Sequence, residues 1–378
     1  MHISSGGVAN NINAGQEATV HISAGGFCSQ VDVRGAELMI YGTAVKTTVH
    51  YTMTRVKEYC VHVQSGGVAS DTSLIGGNMR ISSGGVASGT TVNSGGVMHI
   101  SSGGVAENTF ISSGGIMELA GGTARNTEIV KGGSAVLTDG IVDTLFVNAN
   151  AFVETVNVAL SDLTIRERGA VYASGGTLDK NEVQNLAILQ LCSGTTASDT
   201  TVKSGGHLYI GSGAVHTGTL TIETGATVIA FTGSELNFSI EGRSARDAAL
   251  VSDLSAVKGN IRYSITIAAD QNSGIYRLAD NVQSFKEDVQ LAYGDELFEG
   301  FNVGESIDFN GNTFELFIEN NSLLLEVDTV ALFENNLRDE EDILQGIEMY
   351  SAESATLAAS DAAASIQSND PFKNGILA

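Results

Sequence analysis

The feature that most constrains this chain is a short internal repeat. One unit, I-S-S-G-G-V-A-x-x-T-x-V-x-S-G-G-x-M-x-I, recurs almost unchanged across residues 81–133. Its glycine pairs return every 18 or 19 residues, at Gly84-Gly85, Gly103-Gly104 and Gly121-Gly122, with a second series of pairs between them. A fixed short period indicates a repeat architecture, in which each unit packs on its neighbours. The 378 residues therefore need not divide into several globular cores.

The unit contains short strands separated by glycine corners. Residues 90–92 and 97–100 alternate in polarity as half-buried strands do. Strands this short must pair with the same strand of the next unit, in parallel ladders about 4.8 Å apart. The sequence therefore predicts an all-β fold, a parallel β-solenoid with on the order of a dozen coils.

Coil stacking places equivalent residues in rows along the rod. We predict that a valine row lies in the core, and that a threonine row, suited to parallel sheets by β-branching and hydroxyl contacts, stacks beside it. The valine row contains Val8, Val68, Val86 and Val105, and the threonine row contains Thr72, Thr90, Thr109, Thr127, Thr200 and Thr219. The variable polar pair before each threonine, such as Glu107-Asn108, is expected to face solvent.

The repeat pattern divides the chain into three parts. Residues 1–243 form the solenoid, with an irregular insertion at 45–63 and degenerate coils at 141–191. Residues 244–330 contain longer strands and the turn pairs Asn310-Gly311 and Asn320-Asn321, which predict a small antiparallel β domain that covers the end of the rod. Residues 331–378 are acidic and rich in Ala and Ser, which predicts a helical or disordered tail.

Composition excludes several classes of function. A formal net charge of -24 argues against binding to nucleic acid or to anionic lipid. No run of 18 apolar residues is present, so no membrane-spanning helix is expected. The spacing of Cys28, Cys60 and Cys192 matches neither a zinc module nor a disulfide framework, and Cys28 takes a position that other units fill with Ala.

Two groups of residues are candidates for binding. The insertion concentrates basic and aromatic residues on an otherwise acidic chain, and we expect this loop to contribute to ligand binding. Its candidate residues are Lys46, His50, Tyr51, Arg55, Lys57 and Tyr59. A second group shares one repeat position and should form an exposed ladder: His2, His21, Arg80, His99 and Glu118.

Metal and catalytic chemistry find little support in the sequence. Stacking would bring His2 and His21 within about 4.8 Å, a spacing compatible either with a metal pair or with a plain exposed polar ladder. No third ligand is evident, so no metal or other cofactor is expected. No nucleophile with a base and an orienting group stands out, and nothing pairs the carboxylates of Asp71, Glu107 and Glu118 as glycoside hydrolysis would require.

The units ISSGGVASGTTVNSGGVMHI, ISSGGVAENTFISSGGIMEL and TASDTTVKSGGHLYI resemble the 19-residue repeats of passenger domains from autotransporters of the AIDA (adhesin involved in diffuse adherence) type. The resemblance covers roughly residues 1–242. It implies a right-handed β-helix that mediates adherence and self-association, with heptose on Ser or Thr in some members.

We therefore interpret the chain as a bacterial β-helix adhesin, secreted or displayed at the cell surface, that acts through the side of the rod. Its expected partners are a host-cell or bacterial surface receptor or glycan, with possible self-association, and neither nucleic acid nor membrane insertion is expected. Two alternatives stay open: a carbohydrate-active β-helix enzyme (a polysaccharide lyase or hydrolase), and a structural protein whose coils stack end to end. The tail suggests either a linker or a C-terminal signal for type I secretion.

Overall fold

The structure, a computed structural model, describes residues 1–50, 61–282, 285–309 and 311–329. These residues are almost entirely β. They form a parallel β-solenoid of about 12 coils, each ~19 residues long, and a small antiparallel sheet. Each strand pairs in parallel with the equivalent strand of the neighbouring coils, as in the ladder Val86↔Val105. The predicted solenoid is therefore confirmed, and the glycine period does correspond to one coil.

The first half of the solenoid contains seventeen strands: β1 (His2–Ile3), β2 (Val8–Ala14), β3 (Thr19–Ile22), β4 (Phe27–Arg34), β5 (Glu37–Ile40), β6 (Thr43–His50), β7 (Val61–Val63), β8 (Val68–Ser70), β9 (Ser73–Ile75), β10 (Asn78–Ile81), β11 (Val86–Ser88), β12 (Thr91–Val92), β13 (Val97–Ser101), β14 (Val105–Ile111), β15 (Ile116–Ala120), β16 (Thr123–Ile129) and β17 (Ser134–Thr138).

The remaining elements are β18 (Ile141–Val147), β19 (Phe152–Ile165), β20 (Ala170–Val183), β21 (Ile188–Leu191), β22 (Thr195–Val202), β23 (His207–Ile210), β24 (Val215–Ile222), β25 (Thr227–Ser239), a 3₁₀ turn (Leu254–Ala256), β26 (Val257–Ile267), β27 (Gly274–Asp280), β28 (Val289–Tyr293), β29 (Glu296–Phe301), β30 (Glu305–Phe309), β31 (Asn312–Glu319) and β32 (Ser322–Thr329).

Each regular coil has three straight segments and three corners. In one coil the corners are Gly103, Asn108 and Gly114, which have φ angles of 73°, 51° and 74°. Glycine adopts this left-handed region without a steric cost, and Asn tolerates it better than most residues. We name the three straight segments of a coil after those of this coil: face A contains residues 105–107, face B contains residues 109–111, and face C contains residues 116–119. Equivalent residues of other coils belong to the same face. The corner at Asn108 is the A–B corner.

The core confirms one predicted row and corrects the other. Five threonines of the predicted row are buried, at 0–2% exposure: Thr72, Thr90, Thr109, Thr127 and Thr200. Thr219 leaves the row, because the register shifts after Ser198 and Leu220 takes the buried position. The valine row is wrong: Val8 is 68% exposed and Val68, Val86 and Val105 are only partly covered, whereas the neighbouring alanines fill the core.

The reason for the error is the A–B corner. Asn108 has a left-handed backbone conformation and turns the chain between two strands, so the inward-outward alternation is interrupted at this residue. As a result, Ala106 and Thr109 both point inward although they are three residues apart. Counting by twos back from Thr109 places Val105 inward, which is one residue out of phase. The predicted hydroxyl contacts are seen only at Thr200 among the five buried threonines, where Asn181 donates to Oγ1 at 3.3 Å. Within the described residues, the buried hydroxyls of Thr72, Thr90, Thr109 and Thr127 have no hydrogen-bond partner.

The insertion is shorter than predicted. Residues 45–50 belong to β6, which pairs in register with β4, and residues 61–63 form β7, which pairs with β5 and β10. The departure from the repeat is therefore confined to residues 51–60, which lie outside the described residues, as does the predicted tail at 331–378.

The solenoid extends past residue 243, where the sequence suggested a boundary. Strand β26 pairs in parallel with β25, and β28 pairs in parallel with β26 before it turns back into β29. The antiparallel sheet, in the order β27-β32-β31-β30, follows. Asn320 and Asn321 form the predicted β31–β32 turn, with φ angles of 48° and 64°. No helix in the part of the chain that the structure describes is long and apolar enough to cross a membrane.

Candidate interaction surfaces

The predicted polar ladder exists, and it lies on the outside of face C. His2 pairs in register with His21, and Arg80 pairs with His99, which pairs with Glu118. His62 belongs to the same row, between Met39 and Arg80. The sequence missed His62 because it ends the irregular segment, where the glycine spacing no longer marks its position. With His207 on a neighbouring row, face C holds five of the seven histidines in the chain.

Ring stacking organises this face into aromatic groups. The His2 and His21 rings are stacked with centroids 4.7 Å apart, and Tyr41 stacks on His21 at 4.9 Å. Further along the rod, the Phe152 and Tyr172 rings lie 5.4 Å apart. Aromatic rings at such separations attract each other weakly, and they present apolar surface with polar tips to a partner. We call this surface the histidine face, defined by the outward residues of the face C strands.

The histidines make polar contacts with side chains around them. His2 Nε2 lies 3.0 Å from Ser23 Oγ, and His99 Nδ1 lies 3.3 Å from Glu118 Oε2. His62 Nε2 lies 3.4 Å from Glu37 Oε1. Among the described residues, no three His, Cys, Asp or Glu side chains come together as a metal site requires. The His2 and His21 rings stack as neighbouring members of the polar ladder.

The second candidate group is divided between two places. Lys46 is exposed at the A–B corner, with φ 55°. His50 lies at the end of β6 on face B, where its Nε2 is 3.4 Å from Asp32 Oδ1, and Arg34 also pairs with Asp32. Tyr51, Arg55, Lys57 and Tyr59 lie outside the described residues. The structure therefore places the two described members on different parts of the coil surface.

Two buried groups have shifted acidities. His216 occupies the inward row between Ala197 and Leu236 and is fully buried, and burial lowers its pKa to about 4 although Asp199 opposes this. Its ring nitrogens have no hydrogen-bond partner in the described part of the chain. Burial raises the pKa of Cys28 to about 11, which keeps it a thiol, as expected for a small core residue.

Comparisons with known proteins find likenesses among solved structures. No protein-family model matches the chain, and no curated protein matches it. Among solved structures, the chain is similar to one described as a TibC-catalysed hyper-glycosylated fragment of TibA. The identity is 22%, the TM-score is 0.48, and the match covers 76% of this chain and 97% of that chain.

Proposed function

We propose that this chain is an adhesin, displayed outside a bacterial cell, that binds its partner through the histidine face. The observation that carries the proposal is the composition of that face: histidines, tyrosines, Phe152 and Arg80 stand on a hydrogen-bonded sheet of an otherwise acidic molecule. Aromatic residues and Arg are enriched where proteins contact partners, because they bury much surface and Arg adds several hydrogen-bond donors.

A constant interior supports this role. In the regular coils the inward positions repeat Ala on face A, Thr on face B and Met on face C, whereas the outward row of face C changes from Arg80 to His99 to Glu118. A ladder of backbone hydrogen bonds holds each strand, so its outward side chains can change without loss of the coil. The arrangement is typical of a scaffold for recognition, and we propose a binding role and no catalytic one.

Adhesion by cells that display the chain tests the proposal. Phe152→Ser and Tyr172→Gln remove the aromatic pair, and both replacements already occur in the same rows, at Ser134 and Gln190. The matched control is Ile141→Thr on face A, which removes a 57% exposed side chain and copies Thr123 of the neighbouring coil. We expect the pair of substitutions to reduce the number of attached cells and the control to leave it unchanged. Attachment that is equal in all three strains would refute the histidine face as the contact surface.

We also propose that the exposed corner serines accept O-linked sugars. Ser65, Ser83 and Ser102 are exposed in consecutive coils, and a left-handed glycine follows at each corner, such as Gly84. The Ser65 hydroxyl lies over Gly84 of the next coil, where an added Cβ would come within 2.8 Å of it. The intact mass of the chain isolated from its native host tests this. A mass equal to the sequence mass would refute it, and loss of added mass in Ser65→Ala, Ser83→Ala and Ser102→Ala would place the sites.

A further inference from the structure

A cleft runs along the A–B corner across four consecutive coils. It has a volume of about 310 Å³, and two rows of side chains line it, with Leu163 and Asn181 between them. The corner row contains Thr144, Asp162, Lys180 and Asp199, and the face B row contains Phe146, Thr164, Glu182 and Thr201. Because the coils pair in register about 4.8 Å apart, three steps make the cleft about 14 Å long.

Four polar side chains of the cleft have no hydrogen-bond partner among the described residues, whereas Glu182 accepts a hydrogen bond from Gln184 Nε2 at 2.7 Å. On either side, outward charges on face B pair with each other: Arg166 with Glu128, and Lys203 with Glu223. Within the cleft, the side chains of Asp162, Thr164, Lys180 and Thr201 make no hydrogen bond to any described residue. Their donors and acceptors are therefore available to a ligand.

The walls of the cleft are fixed in place. Asn181 is 2% exposed, and its amide donates to the backbone oxygens of Leu178 at 3.3 Å and Ser198 at 3.0 Å, which ties together two coils beside the corner. Asp199 Oδ1 accepts hydrogen bonds from the amide and the hydroxyl of Thr219, at 2.8 and 2.7 Å. The Arg166 guanidinium lies over the Phe146 ring, 4.7 Å from its centroid. A preformed site avoids much of the entropic cost of ordering on binding.

We propose that this cleft binds an extended, neutral oligosaccharide. Carboxylates and hydroxyls accept hydrogen bonds from sugar hydroxyls, and an aromatic ring offers a surface for the apolar face of a pyranose. Three carboxylates against one ammonium repel uronic, sialylated or sulfated chains. An extended pyranose chain advances per ring by about the rise of one coil, so successive rings meet successive rungs of the same two rows.

Asp199 suits ligand binding better than the role of the general acid that hydrolysis needs. Burial alone would raise the pKa of Asp199, but the two hydrogen bonds from Thr219 outweigh it, and the pKa is lowered from its ordinary value. A glycosidase acid requires the opposite shift, so that it holds a proton to give to the leaving oxygen. This inference goes beyond adhesion through the histidine face and does not depend on it, because the cleft lies on another side of the coil.

An array of immobilised glycans, probed with the full chain, tests the proposal. The neutral probes are linear glucans, galactans and N-acetylglucosamine oligomers, and the anionic probes are polygalacturonate and a sulfated glycan. The cleft variants are Phe146→Thr, which copies Thr164 of the next coil, and Asp162→Asn, which copies the left-handed corner residues Asn108 and Asn126. Each has a matched control elsewhere in the same row: Phe110→Thr and Asp71→Asn.

We expect saturable binding to at least one neutral glycan and weaker binding to the anionic ones. Each cleft variant should lose about tenfold in affinity, because it removes a ring contact or a charged hydrogen bond. Each control should stay within about twofold, as surface substitutions usually do. The proposal is overturned if no neutral glycan binds, if anionic glycans bind better, if the cleft variants bind as well as their controls, or if shortened sugar products accumulate. Cell attachment scored in parallel separates the two proposals, since a cleft variant that attaches normally leaves the histidine face intact.

Discussion

The direction of the face A side chains can be tested with two substitutions on adjacent residues. Ala87 is 0% exposed in the inward row, whereas its neighbour Val86 lies on the outside between Val68 and Val105. Asp at position 87 would place a carboxylate in the dry interior, and burial of this kind raises the pKa of a carboxyl by up to 3–5 units. Since each unit corresponds to about 1.4 kcal/mol, a shift of about 3 units means that the charge of Ala87→Asp alone should cost about 4 kcal/mol at neutral pH.

The loss of stability in Ala87→Asp should grow as the pH rises. The folded chain of Ala87→Asp holds a proton that the unfolded chain releases above a pKa of about 3.9, so its stability falls as the pH rises through that range. At about pH 4 the charge contribution is nearly gone, and the costs of crowding and of burying a neutral carboxyl remain, about 1–3 kcal/mol each. Ala87→Val, which copies Val142 of a later coil, measures that crowding alone.

Val86→Asp is the matched comparison. Its carboxylate reaches water, so the substitution should cost less than about 1 kcal/mol, the value of one cross-strand pair, at either pH. Thermal unfolding at both pH values gives the order of stability, and amide exchange in β8, β11 and β14 shows whether the loss is local. If Val86→Asp is the more damaging change, or if the Ala87→Asp deficit does not grow with pH, the assigned register is wrong.

Three further predictions concern single rows of the coil. His216→Leu, which copies Leu236, should make the protein less sensitive to acid. Because His216 has a pKa of about 4 in the folded chain and about 6.5 in the unfolded chain, the unsubstituted protein should lose about 3 kcal/mol of stability as the pH drops through this range. Thermal midpoints that fall equally in both proteins would contradict this. Thr109→Val should leave the thermal midpoint unchanged or raise it, because the buried hydroxyl has no partner among the described residues; a lower midpoint would reveal one. Gly85→Ala should destabilise the protein more than Gly66→Ala, because a Cβ at position 85 would lie 2.6 Å from the Val63 carbonyl oxygen. At Gly66 the Cβ would meet open space, so that substitution costs only about 1 kcal/mol of left-handed backbone strain. Equal thermal midpoints would exclude the crowding at Gly85.

Much of the fold follows from the sequence because the period is strict. Glycine pairs mark the corners, so the coil length, the threonine row and the stacking of His2 on His21 could all be counted from the numbering. The inward row of face A could not be predicted in this way. Val and Ala are both apolar, so alternation there has two solutions, and only the left-handed residue at the corner, such as Asn108, decides between them.

The functional surfaces were less accessible to sequence reasoning. The members of the histidine row could be predicted where the repeat is regular. His62 was missed because it lies next to the irregular segment. The cleft was missed because its ten lining residues come from coils at 141–202 in which the repeat has decayed, so no motif gathers Asp162, Lys180 and Asp199. The parallel register brings them together, and the register continues there although the consensus letters do not.

The hydrogen-bonded ladders that join successive coils also determine how the rod would respond to force. Every ladder runs along the rod axis, so a pull that peels the chain from one end breaks the bonds of one coil at a time, while the remaining coils stay intact. Each detached coil of ~19 residues releases about 65 Å of extended chain, since a residue spans at most about 3.3–3.6 Å. A rod pulled in this way would lengthen in discrete steps, and the coils at its far end would stay folded until the peeling reaches them.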